Sequence, residues 1–186
     1  MPLAITIIII LIIVIFIIAT FNGLNRKKIY VREAWSSIDV QLQRKGNILP
    51  NLVDTLKMQT NYEGNLLQKI TEARTGIMEG SNDDRMKAND EMSKILPSLY
   101  AVAENYPTLA SSASFQQLMS EISDCENKIT YARNRYNISV TSFNTAIITF
   151  PGVIFAGMMG LKAQTFYEIP NEQRESIDSM RIKDIQ

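Results

Sequence analysis

Histidine is absent from all 186 residues of this chain. That excludes Ser-His-Asp and Cys-His nucleophile systems, HExxH zinc sites and the ExxH ligand pairs of di-iron bundles, each of which needs an imidazole as base or ligand. Cysteine occurs once, at Cys125, so no intrachain disulfide can form and the redox compartment stays open. Charge of neither sign is in excess. The 19 basic residues balance 19 acidic ones, which leaves no electrostatic footprint for nucleic acid. No phosphate-binding loop is present either. These absences point away from an enzyme, and they single out no catalytic, cofactor-binding or metal-ligating residue. The length suits one domain.

What the chain does have is concentrated at its start. Leu3 to Phe21 is a run of 19 residues with only Thr6 and Thr20 polar. As a helix it rises about 28 Å at ~1.5 Å per residue, close to the ~30 Å hydrocarbon core of a bilayer. Isoleucine's weak helix propensity matters little there, because a lone segment in lipid must satisfy its own backbone polar groups. A cleaved signal peptide would need a basic n-region and a shorter apolar stretch, and neither is seen. The run therefore reads as a retained anchor that meets the lipid bilayer through residues 3–21. Arg26, Lys27, Lys28 and Arg32 follow it closely and no side-chain cation precedes it. The positive-inside rule then puts the N-terminus outside and the rest in the cytoplasm, as a single-pass protein of the inner (cytoplasmic) membrane.

Beyond the anchor the periodicity is helical. Val31, Trp35, Ile38 and Leu42 define a first seam, with an interruption expected at Gly46-Asn47 and a new start at Pro50. Leu49, Leu52, Leu56, Leu66, Ile70, Ala73 and Ile77 define a second, on which Gln59 and Glu63 also fall. Gly80-Ser81-Asn82-Asp83 reads as a turn and N-cap. Ala88, Met92, Ile95, Leu99, Val102 and Tyr106 form a third stripe, with a kink expected at Pro97 and an end at Pro107. Phe115, Leu118, Ile122, Cys125, Ile129, Ala132, Tyr136, Val140, Phe143 and Ile147 form the fourth and longest, in coiled-coil-like spacing. The expected fold is all-α, an N-terminal transmembrane helix followed by a long antiparallel up-down four-helix bundle. Its parts would be an anchor at 1–25, a bundle at 26–150, an apolar segment at 151–169 and a polar tail at 170–186.

The up-down topology has a consequence. The end of the fourth helix should return to the bilayer surface, where Ala146 to Leu161 offers sixteen residues without a charge. The expectation is that 151–161 packs on the membrane interface or on a neighbouring protomer. The alternative is that it extends the soluble core.

Several strings taken together resemble the LemA family. They are Trp35 with Ile38-Asp39-Val40-Gln41-Leu42, Arg44-Lys45, Leu49-Pro50-Asn51-Leu52-Val53, Lys57, Glu63 and Ala73-Arg74. Further on come Ala103-Glu104-Asn105-Tyr106-Pro107, Phe115 with Leu118, Glu126-Asn127, Ala132-Arg133, Tyr136-Asn137, Asn144 and Phe150-Pro151. The resemblance implies a bacterial N-terminal membrane helix followed by a long helical bundle, and says little about activity. Pro97 departs from it.

Among polar residues, Glu63, Glu104 and Glu126 could converge as carboxylate ligands for a hard cation, or could make ion pairs and hydrogen bonds with neighbours such as Arg74, Arg133 and Asn127. Tyr100, Tyr106, Tyr131 and Tyr136 could form an aromatic ligand surface or serve as core and half-core residues. Trp35 reads as a packing anchor, and Cys125 as a buried structural thiol. The sequon at Asn137-Ile138-Ser139 carries no information in a bacterial-type membrane protein. The functional expectation is a non-enzymatic, self-assembling scaffold or interaction module, a homo-oligomer with a possible membrane-protein partner. Alternatives are an adaptor for a membrane protease or sensor system and a carboxylate-lined ligand- or metal-binding bundle.

Overall fold

The computed structural model describes residues 2–59 and 64–167. Glu63 and the polar tail expected at 170–186 lie outside the described residues. Among the described residues all regular structure is helical, as the periodicity requires: α1 Pro2–Gln59, α2 Asn65–Met78, α3 Asn82–Asn105, α4 Pro107–Ala110, α5 Ala113–Ile148 and α6 Gly152–Met158.

The apolar run and the first seam form one helix, which also absorbs the start of the second seam. The break expected at Gly46-Asn47-Pro50 does not occur. Ile38, Leu42, Lys45, Leu49, Leu52 and Leu56 are all buried and recur at spacings of four and three without losing phase. Pro50 gives up one backbone bond and crowds the carbonyl a turn earlier, a penalty of ~3 kcal/mol. Each buried leucine beside it contributes about 1.5–3 kcal/mol, so the four in this stretch outweigh the proline. Gly46 is there for contact. A Cβ at that position would clash with Met78 Sδ, so the Met78 side chain would have to shift. The second helix is therefore shorter than its seam suggested. It begins at Asn65, with Gly64 as N-cap, and buries Leu66, Ile70, Ala73 and Ile77.

The turn at Gly80 to Asp83 is a capping box. Ser81 Oγ accepts from the Asp84 N–H, and the Asp84 carboxylate accepts from the Ser81 N–H. That hydroxyl also donates to the Asp84 carboxylate and holds its pKa below the usual value. Helix α3 runs through Pro97, which is exposed, and ends at Asn105, just before Pro107. Its buried stripe is Met86, Asn89, Met92, Leu99, Val102 and Ala103, so Ala88, Ile95 and Tyr106 are only half-buried. In α5 the expected seam is buried throughout except for Leu118, which is half-covered.

The described residues divide into two compact units, the chain up to Ser37 with Ala132–Phe166, and Ile38–Tyr131 with Tyr167. In the second unit the remainder of α1 runs antiparallel to α5, with Arg44 on Asp124 at 2.8 Å. It runs parallel to α3, where Asp39 meets Arg85 at 2.5 Å and Lys45 meets Asn89 at 2.7 Å. Arg85 also donates to the Ile77 carbonyl at 2.8 Å, placing a cation on the negative end of α2. Helices α2 and α3 approach closely, since a Cβ on Gly76 would stand 2.6 Å from that of Ala88. These contacts define four helical stretches in alternating directions.

In the first unit, α1 and α5 are again antiparallel. Lys27 donates to Ser142 at 2.6 Å, and Trp35 meets Tyr136 edge-on with ring centroids 6.2 Å apart. Helix α5 ends at Ile148, and α6 leaves at 91° to it across Pro151.

Candidate functional site

The chemistry-bearing side chains of the second unit gather around Lys45. Its ammonium has no exposed surface, because position 45 falls on the buried seam of α1 between Leu42 and Leu49. It donates to Asn89 Oδ1 of α3 and to Glu126 Oε1 of α5. Ser93 Oγ, one turn along α3, donates to the same carboxylate oxygen at 2.7 Å. Glu126 keeps 21% of its side-chain surface exposed, so the pair is closed on the lysine side and only grazed by water on the other. Burial pushes the Lys45 pKa below 10.5, and the Glu126 charge offsets only part of that. With Lys45 presenting no atom to solvent, the cluster ties α1, α3 and α5 together. A buried ion pair of this kind costs desolvation but fixes which positions face one another.

The sequence-derived candidates are not brought together. Glu126 lies in this cluster, with Lys45 and Ser93 as its partners. Glu104 is exposed, on an open groove of about 700 Å³ lined by Tyr100, Phe115, Met119 and Asn127. Among the described residues no three His, Cys, Asp or Glu side chains are grouped to hold a metal. The tyrosines also divide. Tyr136 is buried and donates to the Thr165 carbonyl at 3.3 Å, Tyr106 is half-buried, and Tyr100 and Tyr131 are exposed. Cys125 is fully buried, and burial raises its thiol pKa, which keeps it protonated. Beside it on the surface, Asp124 is held ionised by Lys128 at 2.9 Å and Arg44 at 2.8 Å.

Lys45, named above only within a family-like string, and Asn89, not named at all, carry the cluster. Each is a polar side chain at a seam position, and that phase was the available signal. The Asn144 amide pairs with the Gln164 backbone in both directions at 2.9 Å, holding the chain after α6 back against α5.

The first unit offers a different surface. None of the side chains from Leu3 to Ala19 is buried, and the helix is long and apolar enough to cross a membrane. Just beyond, Leu24 is buried, and its Cδ2 lies 3.5 Å from where a Cβ on Gly152 would be. Gly152 and Ala156 face inward on α6, while Ile148, Phe150, Val153, Ile154 and Met158 are exposed. Charge in this unit is one-sided. Arg26, Lys27, Lys28 and Arg32 on α1 and Arg133, Arg135 and Lys162 after it face a single acid, Glu33. The rest of the chain holds the other 12 of 19 basic and 18 of 19 acidic residues.

Residues 34–179 match the LemA family. Protein LemA of Metamycoplasma hominis is 26% identical, over 87% of this chain and 75% of its own. Magnetosome protein MamQ of Magnetospirillum gryphiswaldense is 24% identical over 73% of this chain and 60% of its own. Magnetosome protein MamQ 2 of Paramagnetospirillum magneticum matches to the same extent. The chain thus spans 60% of the length of these magnetosome proteins. The family match takes in the second half of α1, the Lys45 cluster, all of α5 and the turn into α6, and on that extent the chain belongs to the LemA family.

Proposed function

We propose that this LemA-family chain is a non-enzymatic, membrane-anchored scaffold that assembles with copies of itself, its N-terminus outside and its bundle in the cytoplasm. The observation that carries the reading is the unburied apolar stretch of α1, which continues without a break into the packed helices. An anchor of this kind confines every bundle to one plane, raises the effective concentration of its neighbours and favours lateral assembly. The cations at 26–32 support the orientation. Placement of the candidate acids also supports the reading over a carboxylate-lined ligand site, since Glu126 is engaged by Lys45 and Glu104 lies on the surface. A reporter fused after residue 186 tests the orientation. It should be active only in the cytoplasm, and reversing the charges of Arg26, Lys27 and Lys28 should redirect it. Bifunctional crosslinking in native membranes tests assembly. Ladders of the full-length chain are expected, and recovery of the protomer alone would refute self-assembly.

A further inference from the structure

We infer that α6 is an in-plane interfacial helix and that the cations around it form a collar for anionic lipid headgroups. The inference rests on the membrane reading above and adds a second lipid contact to it. Three observations within the first unit support it. Gly152 stands against Leu24, three residues past the end of the apolar run, or about 4.5 Å along the helix axis. Helix α6 therefore begins at the level where the span leaves hydrocarbon.

Its direction fits that level. Helix α5 is antiparallel to α1 here, and α6 turns 91° from α5. A helix at right angles to the span lies along the membrane surface. Its residues then divide as an interfacial helix requires, with Gly152 and Ala156 against the protein and Val153, Ile154 and Met158 exposed beside Phe150.

The charge completes the match. Arg26, Lys28 and Lys162 are exposed in a unit whose one acid is Glu33, in a chain that is neutral overall. A second copy of this unit would bring like charge against it, whereas an anionic lipid surface is complementary. The occupant is therefore lipid. Asn144 and Tyr136, by holding Gln164 and Thr165, return the chain to α5 and keep α6 from swinging away.

The test uses the full-length chain with Cys125→Ala and single cysteines introduced as Ile12→Cys, Ile154→Cys or Met158→Cys, all at exposed positions. Each is labelled with bimane and reconstituted into phosphatidylcholine–phosphatidylglycerol vesicles in which one lipid carries bromine. Quenching at Ile12 reports the anchor, and quenching at Ile154 and Met158 reports α6. The expected result is quenching at all three sites, deep-chain bromines acting at Ile12 and shallow ones at 154 and 158. At equal mole fraction, brominated phosphatidylglycerol should quench the α6 labels at least about twofold more than brominated phosphatidylcholine. If Ile12 is quenched while 154 and 158 remain open to aqueous iodide, the inference fails and the anchor stands. No quenching at Ile12 would defeat the membrane reading itself. Labels shielded from lipid and water alike, in proportion to protein density, would assign α6 to a protomer contact and overturn the lipid assignment. Equal quenching by the two lipids would overturn the headgroup collar.

Discussion

Replacing Lys45 by methionine isolates what the buried cluster does. The substitution keeps most of the side-chain volume on the α1 seam and removes the ammonium. Glu126 then loses its cation, and Asn89 Oδ1 loses its donor. Breaking a fully buried pair costs ~3–5 kcal/mol, but Glu126 retains 21% of its side-chain surface. Water can partly compensate it, so the low end of about 3 kcal/mol is expected. For a chain of this size that is roughly a 6–12 °C fall in Tm. Glu126→Gln alone should also destabilise, because it leaves an ammonium buried against a neutral amide. The double variant Lys45→Met with Glu126→Gln should recover to within about 1 kcal/mol of the parent, since a neutral isostere needs no desolvation. Thermal unfolding of the full-length chain in mild detergent, followed by circular dichroism, reads all four corners of the cycle. The dependence on pH has a definite sign. Burial lowers the folded-state pKa of Lys45 beneath 10.5, so the unfolded chain binds that proton more tightly. Stability relative to Lys45→Met should therefore rise with pH in the interval that ends at 10.5, and be lowest below it. Single-variant costs that add to within about 0.5 kcal/mol would show that Lys45 and Glu126 do not act as a pair, and would refute the reasoning.

Three further outcomes follow from local geometry. Gly76→Ala puts a methyl 2.6 Å from Ala88 Cβ, forcing α2 and α3 apart; a loss of ~1–3 kcal/mol is expected in the same melts. Ser81→Ala removes the α3 capping box and should cost about 1 kcal/mol, with faster amide exchange confined to the first turn of α3. Cys125 should label with a maleimide only at the rate of opening of the folded chain, and at the rate of a free thiol once denatured.

Much of this architecture is legible in the sequence, and the exceptions share one physical origin. The seams of α2 and α5, the cap at Ser81 and the helix ends at Pro107 and Pro151 follow from local rules. The stretch at Gly46 and Pro50 does not. Local rules assign a break to that pair, but tertiary packing outweighs it, because Leu49, Leu52 and Leu56 keep the phase of Ile38 and Leu42. Gly46 lets the Met78 side chain lie close against α1, which no one-dimensional pattern reveals. The roles of Lys45 and Asn89 are not legible in the pattern for a related reason. Each is a polar residue on an apolar seam, and only the fold shows that they face each other. Of the two readings open for the tyrosines, core or surface, Tyr100 and Tyr131 take the exposed one, which their helical spacing alone does not decide. The partners of Glu126 are Lys45 and Ser93 rather than Arg74, Arg133 or Asn127, because helix register and not sequence proximity sets them.

Self-assembly at the membrane is the central claim, and the molar mass of the full-length chain tests it most directly. Light scattering coupled to size separation in mild detergent, with the detergent contribution subtracted, should give a defined multiple of 21.1 kDa. That multiple should persist on dilution and match the species crosslinked in native membranes. A single protomer mass at every concentration, with no crosslinked product in the membrane, would contradict the account.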